Sequence, residues 1–304
     1  MKEVFFEKNV KKTFLHRFSC SETMLTLLDR AFGTEEKEIE EASDPLCGGI
    51  CLELDAACGI LWGASLAAGI QAQRRLATPA AARNAALTAA KSIVDSFVEE
   101  GNPEDCREII NMEKWGMMRY MTNGKTSLCL SNMVRQAPRF KEIIDSVVEE
   151  HGKQKKHEEF RNCATEAMEK VSKAIDLQQC DYPHISAGFA GGLGLSGNAC
   201  GALASAIFTV NLQYFLQRNK PKHSMLRSMM QGFRIGDGWI DPSRKIVNDF
   251  REHFGTKSCV CVTNREFANP RELSEYLEQG NCSDVIDFLA QSAARHTAAK
   301  SAAA

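Results

Sequence analysis

Apolar side chains recur at helical spacing along most of the chain. They predict one amphipathic helix over 14–32, and the nearly continuous small and apolar run over 58–71 predicts a buried helix. Thr78 followed by Pro79 predicts the N-cap and first turn of a helix that reaches residue 100. The same patterns predict helices over 104–121, 139–151, 156–176, 198–217, 241–254, 271–279 and 282–298.

One segment has the character of a β-strand. Residues 258–263, Ser-Cys-Val-Cys-Val-Thr, are rich in residues that favour strands, and we expect a short strand there. A single short strand cannot form a sheet, so the sequence as a whole predicts an all-α fold.

Four cysteines recur in the same order in the two halves of the chain. The first and second are 38 residues apart in one half and 37 in the other, and the third and fourth are 23 apart in both. The middle interval is 48 residues against 59, so we place an insertion within 219–239 of the second copy. The two sets are Cys20, Cys58, Cys106 and Cys129, and Cys163, Cys200, Cys259 and Cys282.

Other positions follow the same repeat. Gly48-Gly49 aligns with Gly191-Gly192, and an Ile-Val-x-x-Phe motif ends at Phe97 and at Phe250, nine residues before the third cysteine of each half. We therefore predict two homologous helical halves, 1–150 and 151–304, joined by the polar junction 153–157. We expect a pseudo-twofold axis to relate them as in a fused dimer, either as a monomeric pseudo-dimer or within a homo-oligomer.

Composition narrows the chemistry. The chain has 304 residues, with 37 Lys and Arg against 39 Asp and Glu, which argues against nucleic acid as a partner. No apolar run is long enough for a membrane span, and the first residues lack an apolar signal core, so we expect a cytoplasmic protein. Thiols stay reduced there, so the 12 cysteines favour metal binding or redox chemistry over structural disulfides.

Four thiolates per half is the number that an iron–sulfur cluster or an all-cysteine zinc site requires. The eight repeated cysteines are therefore candidate metal ligands, although inert buried thiols are an alternative. Gly59 and Gly201 directly follow the second cysteines, where the lack of a side chain would let the backbone approach a cofactor. Cys58 and Cys200 each lie near the N-terminus of a predicted helix, and the helix dipole is expected to lower their pKa.

The segment 188–203, Gly-Phe-Ala-Gly-Gly-Leu-Gly-Leu-Ser-Gly-Asn-Ala-Cys-Gly-Ala-Leu, resembles the core of the redox-active protein family known as C_GCAxxG_C_C. The segments around Cys163, Cys259 and Cys282 resemble its other cysteine positions, and the first half resembles it more weakly through the repeat. The family is one of small proteins of anaerobic prokaryotes, and a similar module in split-Soret cytochromes c is associated with an iron–sulfur site. The motif itself departs from the family: Ser205 stands for its last Gly, and Ile60 stands for its Ala in the first half.

This resemblance implies a [2Fe–2S] or [4Fe–4S] cluster in each half. No Cys-x-x-Cys-His motif supports covalent haem. The pattern Gly-x-Gly-x-x-Gly over 192–197 lacks the following acidic residue of a dinucleotide site, because 198–236 contain no acid, so NAD is not expected.

Four cysteines lie outside the repeat. Cys47 and Cys51 precede Cys58 closely and are candidates for further ligands or a redox pair. Cys261 shares a Cys-x-Cys motif with Cys259 and is an alternative ligand, whereas Cys180 is interpreted as incidental.

The sequence thus predicts a redox protein with one iron–sulfur centre per half, for electron transfer or redox sensing with a redox partner protein. Two alternatives remain open: a metal-free thiol–disulfide oxidoreductase, and a structural or adaptor subunit whose metal stabilises the fold.

Overall fold

The computed structural model describes residues 2–114, 117–177, 182–217 and 241–301. The described part is all-α, as predicted, and also contains two 3₁₀ helices, Asp44–Leu46 and Ile185–Phe189. The α-helices are α1 (Lys2–Arg17), α2 (Cys20–Ala31), α3 (Lys37–Ala42), α4 (Gly59–Arg75), α5 (Pro79–Glu99), α6 (Cys106–Ile110), α7 (Met117–Thr122), α8 (Lys125–Lys153), α9 (Cys163–Ala174), α10 (Gly201–Gln217), α11 (Asp241–Phe254), α12 (Cys259–Thr263), α13 (Pro270–Glu278) and α14 (Ser283–Ser301). Both Cys180 and the insertion expected within 219–239 lie outside the described residues.

The helix predicted over 14–32 is two helices. The chain breaks at Phe18, whose φ is 54°, and Ser19 caps α2 by accepting the N–H of Glu22 on its hydroxyl. Ser19 and Glu22 have the spacing of a capping box, a start signal that overrides the continuous apolar pattern. The helix predicted over 104–121 is also divided, into α6 and α7, and α6 ends at the left-handed Asn111.

The predicted strand over 258–263 is wrong. Ser258 caps α12 by accepting the N–H of Cys261, and this short helix contains the β-branched residues that suggested a strand. Ser258 pairs with Ala199 in an isolated antiparallel bridge, which is matched in the first half by a bridge between Ala57 and Asp105. The β-like feature is therefore one residue pair, present in each half.

The two halves pack on each other reciprocally. Helix α4 of the first half packs on the 3₁₀ helix Ile185–Phe189 of the second, and α10 of the second half packs on the 3₁₀ helix Asp44–Leu46 of the first. Trp62 and Phe189, both fully buried, meet edge to face across this interface with ring centroids 4.9 Å apart. This exchange of equivalent contacts confirms two homologous helical halves arranged as a fused dimer.

The repeated apolar motif lies in the core, as its alignment requires. Phe97 on α5 and Phe250 on α11 are both completely buried. Buried apolar side chains from both halves form one continuous core. The cysteine sites are therefore attached to a framework that the two halves build together.

Candidate metal centres

Three cysteines of the first set lie at the starts of helices, and the fourth lies further along its helix. Cys20 and Cys106 are the first residues of α2 and α6, Cys58 immediately precedes α4, and Cys129 lies in the second turn of α8. The first N–H groups of a helix have no partner within it and carry partial positive charge. The positions of Cys20, Cys58 and Cys106 therefore favour negatively charged groups.

All four cysteines of the second set lie at helix starts. Cys163 and Cys259 are the first residues of α9 and α12, while Cys200 and Cys282 immediately precede α10 and α14. The structure thus gathers the predicted cysteines into one set in each half.

A short antiparallel bridge holds the second and third cysteines of each half together. In the first half the N–H of Cys58 donates to the carbonyl of Glu104 at 2.9 Å, and the N–H of Cys106 donates to that of Ala56 at 3.0 Å. In the second half the N–H of Cys200 donates to the carbonyl of Lys257 at 2.7 Å, and the N–H of Cys259 to that of Asn198 at 2.6 Å. The hydrogen bonds are equivalent although the intervening segments differ by 11 residues in length.

The glycine-rich segment of each half is a left-handed turn. Residues 48–52 have φ between 55° and 69°, and residues 191–195 have φ between 62° and 83°. Such a run costs energy for residues other than glycine. Its first N–H, that of Gly48 or Gly191, hydrogen-bonds to the thiol of the first cysteine, Cys20 or Cys163.

Gly59 and Gly201 each occupy a place where a side chain has no room. A Cβ atom at Gly59 would lie 2.3 Å from the Sγ of Cys20, and one at Gly201 would lie 2.0 Å from the carbonyl oxygen of Phe189. Gly59 therefore packs directly on a thiol, and Gly201 packs on the backbone beside the left-handed turn. Their predicted approach to a cofactor stays a prediction.

The thiols of each set are close enough to affect one another's ionisation. Burial raises the pKa of Cys58 well above its usual value, and the Cys20, Cys106 and Cys129 thiols raise it further. Burial likewise raises the pKa of Cys259, with added contributions from Cys200, Cys163 and Cys282. Several thiolates in one buried site repel each other, so the four cannot all ionise without a positive partner.

The lowered pKa that the sequence predicted for Cys58 and Cys200 is wrong. The N–H of Ile60 favours the Cys58 thiolate, and those of Ala202 and Leu203 favour the Cys200 thiolate, as expected at a helix start. Burial is the larger effect, and it raises both pKa values.

Each set has a tyrosine that the sequence analysis missed. The side chains of Tyr120 and Cys129 are hydrogen-bonded, and this bond lowers the pKa of Cys129 against the effect of burial. Tyr276 lies near Cys282 and Cys259, but its hydroxyl points to the carbonyl of Thr263 at 3.4 Å. The available signal was that two of only four tyrosines fall between the third and fourth cysteines of a half.

The additional cysteines differ from one another. A cavity of about 40 Å³ is lined by Cys47 together with Cys20, Cys106 and Cys129, so Cys47 lies with the first set. Cys51 is buried near Lys257 and Arg244 of the second half, and burial raises its pKa to about 12. Cys261 is exposed.

Among the described residues, no three side chains of His, Cys, Asp or Glu are grouped tightly enough to hold a metal ion as they stand. Binding would therefore require the thiols to turn about their Cα–Cβ bonds towards a common centre. The cysteines, the helix starts and the Gly48 and Gly191 amides nevertheless form the donor set that a thiolate-bound anionic cluster needs.

Fold and site together define a duplicated all-α protein with four cysteines per unit. The family described as "Putative redox-active protein (C_GCAxxG_C_C)" matches residues 18–143 and 161–296, and the chain belongs to this family as a tandem duplication. Among curated proteins and solved structures, none matches the chain. No helix in the described ranges combines the length and apolar character needed to cross a bilayer.

Proposed function

We propose that each half binds one iron–sulfur cluster, [2Fe–2S] or [4Fe–4S], and that the protein transfers or senses electrons. The observation that carries this proposal is that each half brings together four buried or partly buried thiols, seven of the eight at helix starts, within mutual electrostatic influence. Membership of a redox-active family supports the same general role.

The chemistry of the thiols supports a cationic centre. Burial and mutual repulsion keep the thiols protonated, and coordination to iron would remove their protons and offset the repulsion. When bound, the cluster supplies a group that accepts and releases single electrons. The amides of Gly48 and Gly191 and the helix starts would stabilise its negative charge, and burial would exclude water from it.

The mutual effects on thiol pKa run within each half. The pKa of Cys58 is raised by the three other cysteines of the first set, and the pKa of Cys259 is raised by the three other cysteines of the second set. We therefore assign each centre to the ligands of one half. Electrons would reach the two centres from a protein redox partner.

Anaerobic purification followed by iron and acid-labile sulfide analysis and EPR spectroscopy tests this function. The expected protein is brown and contains two clusters per chain. Cys58→Ser and Cys200→Ser should each remove about half of the iron, while Cys261→Ser, the matched control at an exposed cysteine, should remove none.

Other results would overturn the proposal. A colourless anaerobic protein without iron and sulfide would favour the metal-free thiol–disulfide oxidoreductase, since the eleven described cysteines are all free thiols. Stoichiometric zinc without sulfide would favour a fold-stabilising metal. Loss of all iron in either single variant would show that the centre is shared between the halves.

A further inference from the structure

We propose that Cys20 and Cys47 form a redox-active disulfide, and that only the first half has this site. Both residues line the same cavity of about 40 Å³ beside the first set. Cys20 is the first cysteine of that set, whereas Cys47 is outside the repeat.

The backbone places the two residues within bonding reach. An ideal Cβ on Gly59 would lie 2.3 Å from the Sγ of Cys20 and 3.0 Å from the Cα of Cys47, so that Sγ and that Cα are at most 5.3 Å apart. Because the Cys20 Sγ lies so close to the Cα of Cys47, the Cys47 thiol, which turns about the Cα–Cβ bond of its own residue, can be directed towards it. A disulfide needs Cβ atoms that are about 3.5–4.5 Å apart, a separation that this placement permits.

The second half has no equivalent pair. The N–H of Leu52 donates to the carbonyl of Cys47, and the N–H of Leu195 donates to that of Ala190, so Ala190 occupies the position of Cys47. In the same register, the carbonyl of Asp44 accepts the N–H of Cys47 and the carbonyl of Ala187 accepts that of Ala190. The first half thus has a thiol and a carboxyl group where the second half has two alanines.

The surroundings assign different roles to the two thiols. Cys20 is partly exposed and Cys47 is 5% exposed, so an oxidant from solvent meets Cys20 first. Burial raises the pKa of the Cys47 thiol, and the carboxyl group of Asp44 lies close enough for its charge to raise that pKa further and can take the thiol proton.

A small-molecule disulfide would be the oxidant of Cys20 and Cys47. The sulfur of Cys20 attacks it, which breaks its S–S bond and forms a mixed disulfide, and the Cys20 proton passes to the departing sulfur, which is released as one thiol. The sulfur of Cys47 then attacks the sulfur of Cys20, loses its proton by way of Asp44, and releases the second thiol. Two cysteine thiols are oxidised and one external disulfide is reduced to two thiols, so atoms and electrons balance.

The disulfide would involve one of the four cysteines of the first set and none of the second set. This consequence rests on the proposed function. If each half binds an iron–sulfur cluster, oxidation of Cys20 would prevent the first cluster from forming and leave the second intact. The existence of the disulfide does not require a metal.

Peptide mapping of the full-length protein, reduced and freed of metal by a chelator and then treated with oxidised glutathione, tests the site. Cleavage after basic residues and Glu places Cys20 in residues 18–22, Cys47 and Cys51 in 42–53, and Cys58 in 54–74. The expected product is a crosslink between 18–22 and 42–53 that persists in Cys51→Ala and is absent from Cys47→Ala.

The second half supplies a matched control. Cys163 should form no internal crosslink in the wild type, because Ala190 occupies the position of Cys47. A wild-type protein in which Cys20 joins Cys58, Cys106 or Cys129, or stays free of internal crosslinks, would overturn the site. Because the assay uses metal-free protein, a missing iron–sulfur cluster does not affect its outcome.

Discussion

The side-chain oxygen of Asn198 accepts the N–H of Ala57 at 2.7 Å and so joins the two halves between their cysteine sites. The same oxygen accepts the N–H of Ala199, and the amide nitrogen of Asn198 donates to Asp105 at 2.7 Å. Ala57, Asp105 and Ala199 each directly precede a cysteine of a set. Two peptide steps of about 3.8 Å and two N–Cα bonds of about 1.5 Å complete the path, so the Cα atoms of Cys58 and Cys200 lie within about 16 Å.

Replacing this residue should therefore weaken both sites at once. We expect Asn198→Ala to lower the free energy of unfolding by about 1–3 kcal/mol, because it leaves the Ala57 and Ala199 N–H groups without their acceptor. Urea unfolding measures the change. Asn84→Ala is the matched control, since Asn84 also bonds across the halves, to the carbonyl of Glu158, but at the surface, and it should cost no more than about 0.5 kcal/mol. Equal effects of the two substitutions would contradict the central role of Asn198.

A methyl group at Gly59 should disturb the first site. Gly59→Ala would place Cβ 2.3 Å from the Sγ of Cys20, so the Cys20 thiol must shift. This shift should lower the free energy of unfolding by about 1–3 kcal/mol and speed the alkylation of Cys20. Gly152→Ala, inside α8 with its nearest contact at 3.5 Å, should instead stabilise the protein by about 0.5–1 kcal/mol. Thermal unfolding and timed alkylation with mass spectrometry distinguish the two variants. An unchanged Cys20 reactivity in Gly59→Ala would show that the thiol is not held by this contact.

The stability of the protein should depend on pH through Asp29. Burial, with the charge of Glu40 as the next contribution, raises the pKa of Asp29 to about 7. Between about pH 4 and pH 7 the folded protein keeps a proton on this carboxyl group that the unfolded chain releases, so the free energy of unfolding falls as the pH rises. The shift from 3.8 to about 7 corresponds to at most roughly 4 kcal/mol.

Substitution of Asp29 tests the direction of this pH dependence. Asp29→Asn should unfold with a flatter pH dependence, be more stable than the wild type at pH 8, and differ little from it at pH 4. Asp95→Asn, at an exposed residue paired with Lys91, is the control and should follow the wild-type curve within about 0.5 kcal/mol. Parallel curves for Asp29→Asn and the wild type would rule out Asp29 as the titrating group.

The two tyrosines should affect the thiols unequally. Tyr120→Phe removes the hydrogen bond that lowers the pKa of Cys129, so the pKa of Cys129 should rise and its alkylation at a fixed pH should slow by about three- to tenfold. Tyr276→Phe removes a bond to the carbonyl of Thr263 and should leave the alkylation of Cys282 unchanged. The measurement is the alkylation rate of each cysteine in metal-free protein as a function of pH. A similar slowing at Cys282 would show that Tyr276 acts on its thiol as Tyr120 does.

The sequence predicted the features that repeat and missed those that depend on the surroundings. The cysteine spacing and the Phe97 and Phe250 motifs predicted the duplication because both copies preserve them. The break at Phe18 and the helix at 258–263 were missed because local caps override apolar patterning and β-propensity. The pKa of Cys58 was predicted in the wrong direction because burial, which outweighs the helix start, depends on residues distant in sequence.

The proximity of Cys47 to Cys20 could not be predicted from the sequence either. The pattern Cys47-Gly-Gly-Ile-Cys51 suggested a pair formed by its own two cysteines. In the structure this segment is a left-handed turn, and Cys51 lies near residues of the second half. The fold shows the relation of Cys20 to Cys47 in two ways: both line one cavity, and a Cβ added at Gly59 would meet both.

The reciprocal packing of the halves also has an evolutionary consequence. A symmetric homodimer must change both subunits together, because one gene encodes both copies. When the two copies share a chain, each can change alone, and here the first has Asp44 and Cys47 where the second has Ala187 and Ala190. A fused chain can therefore give two equivalent sites different residues, and so different duties, within a shared core.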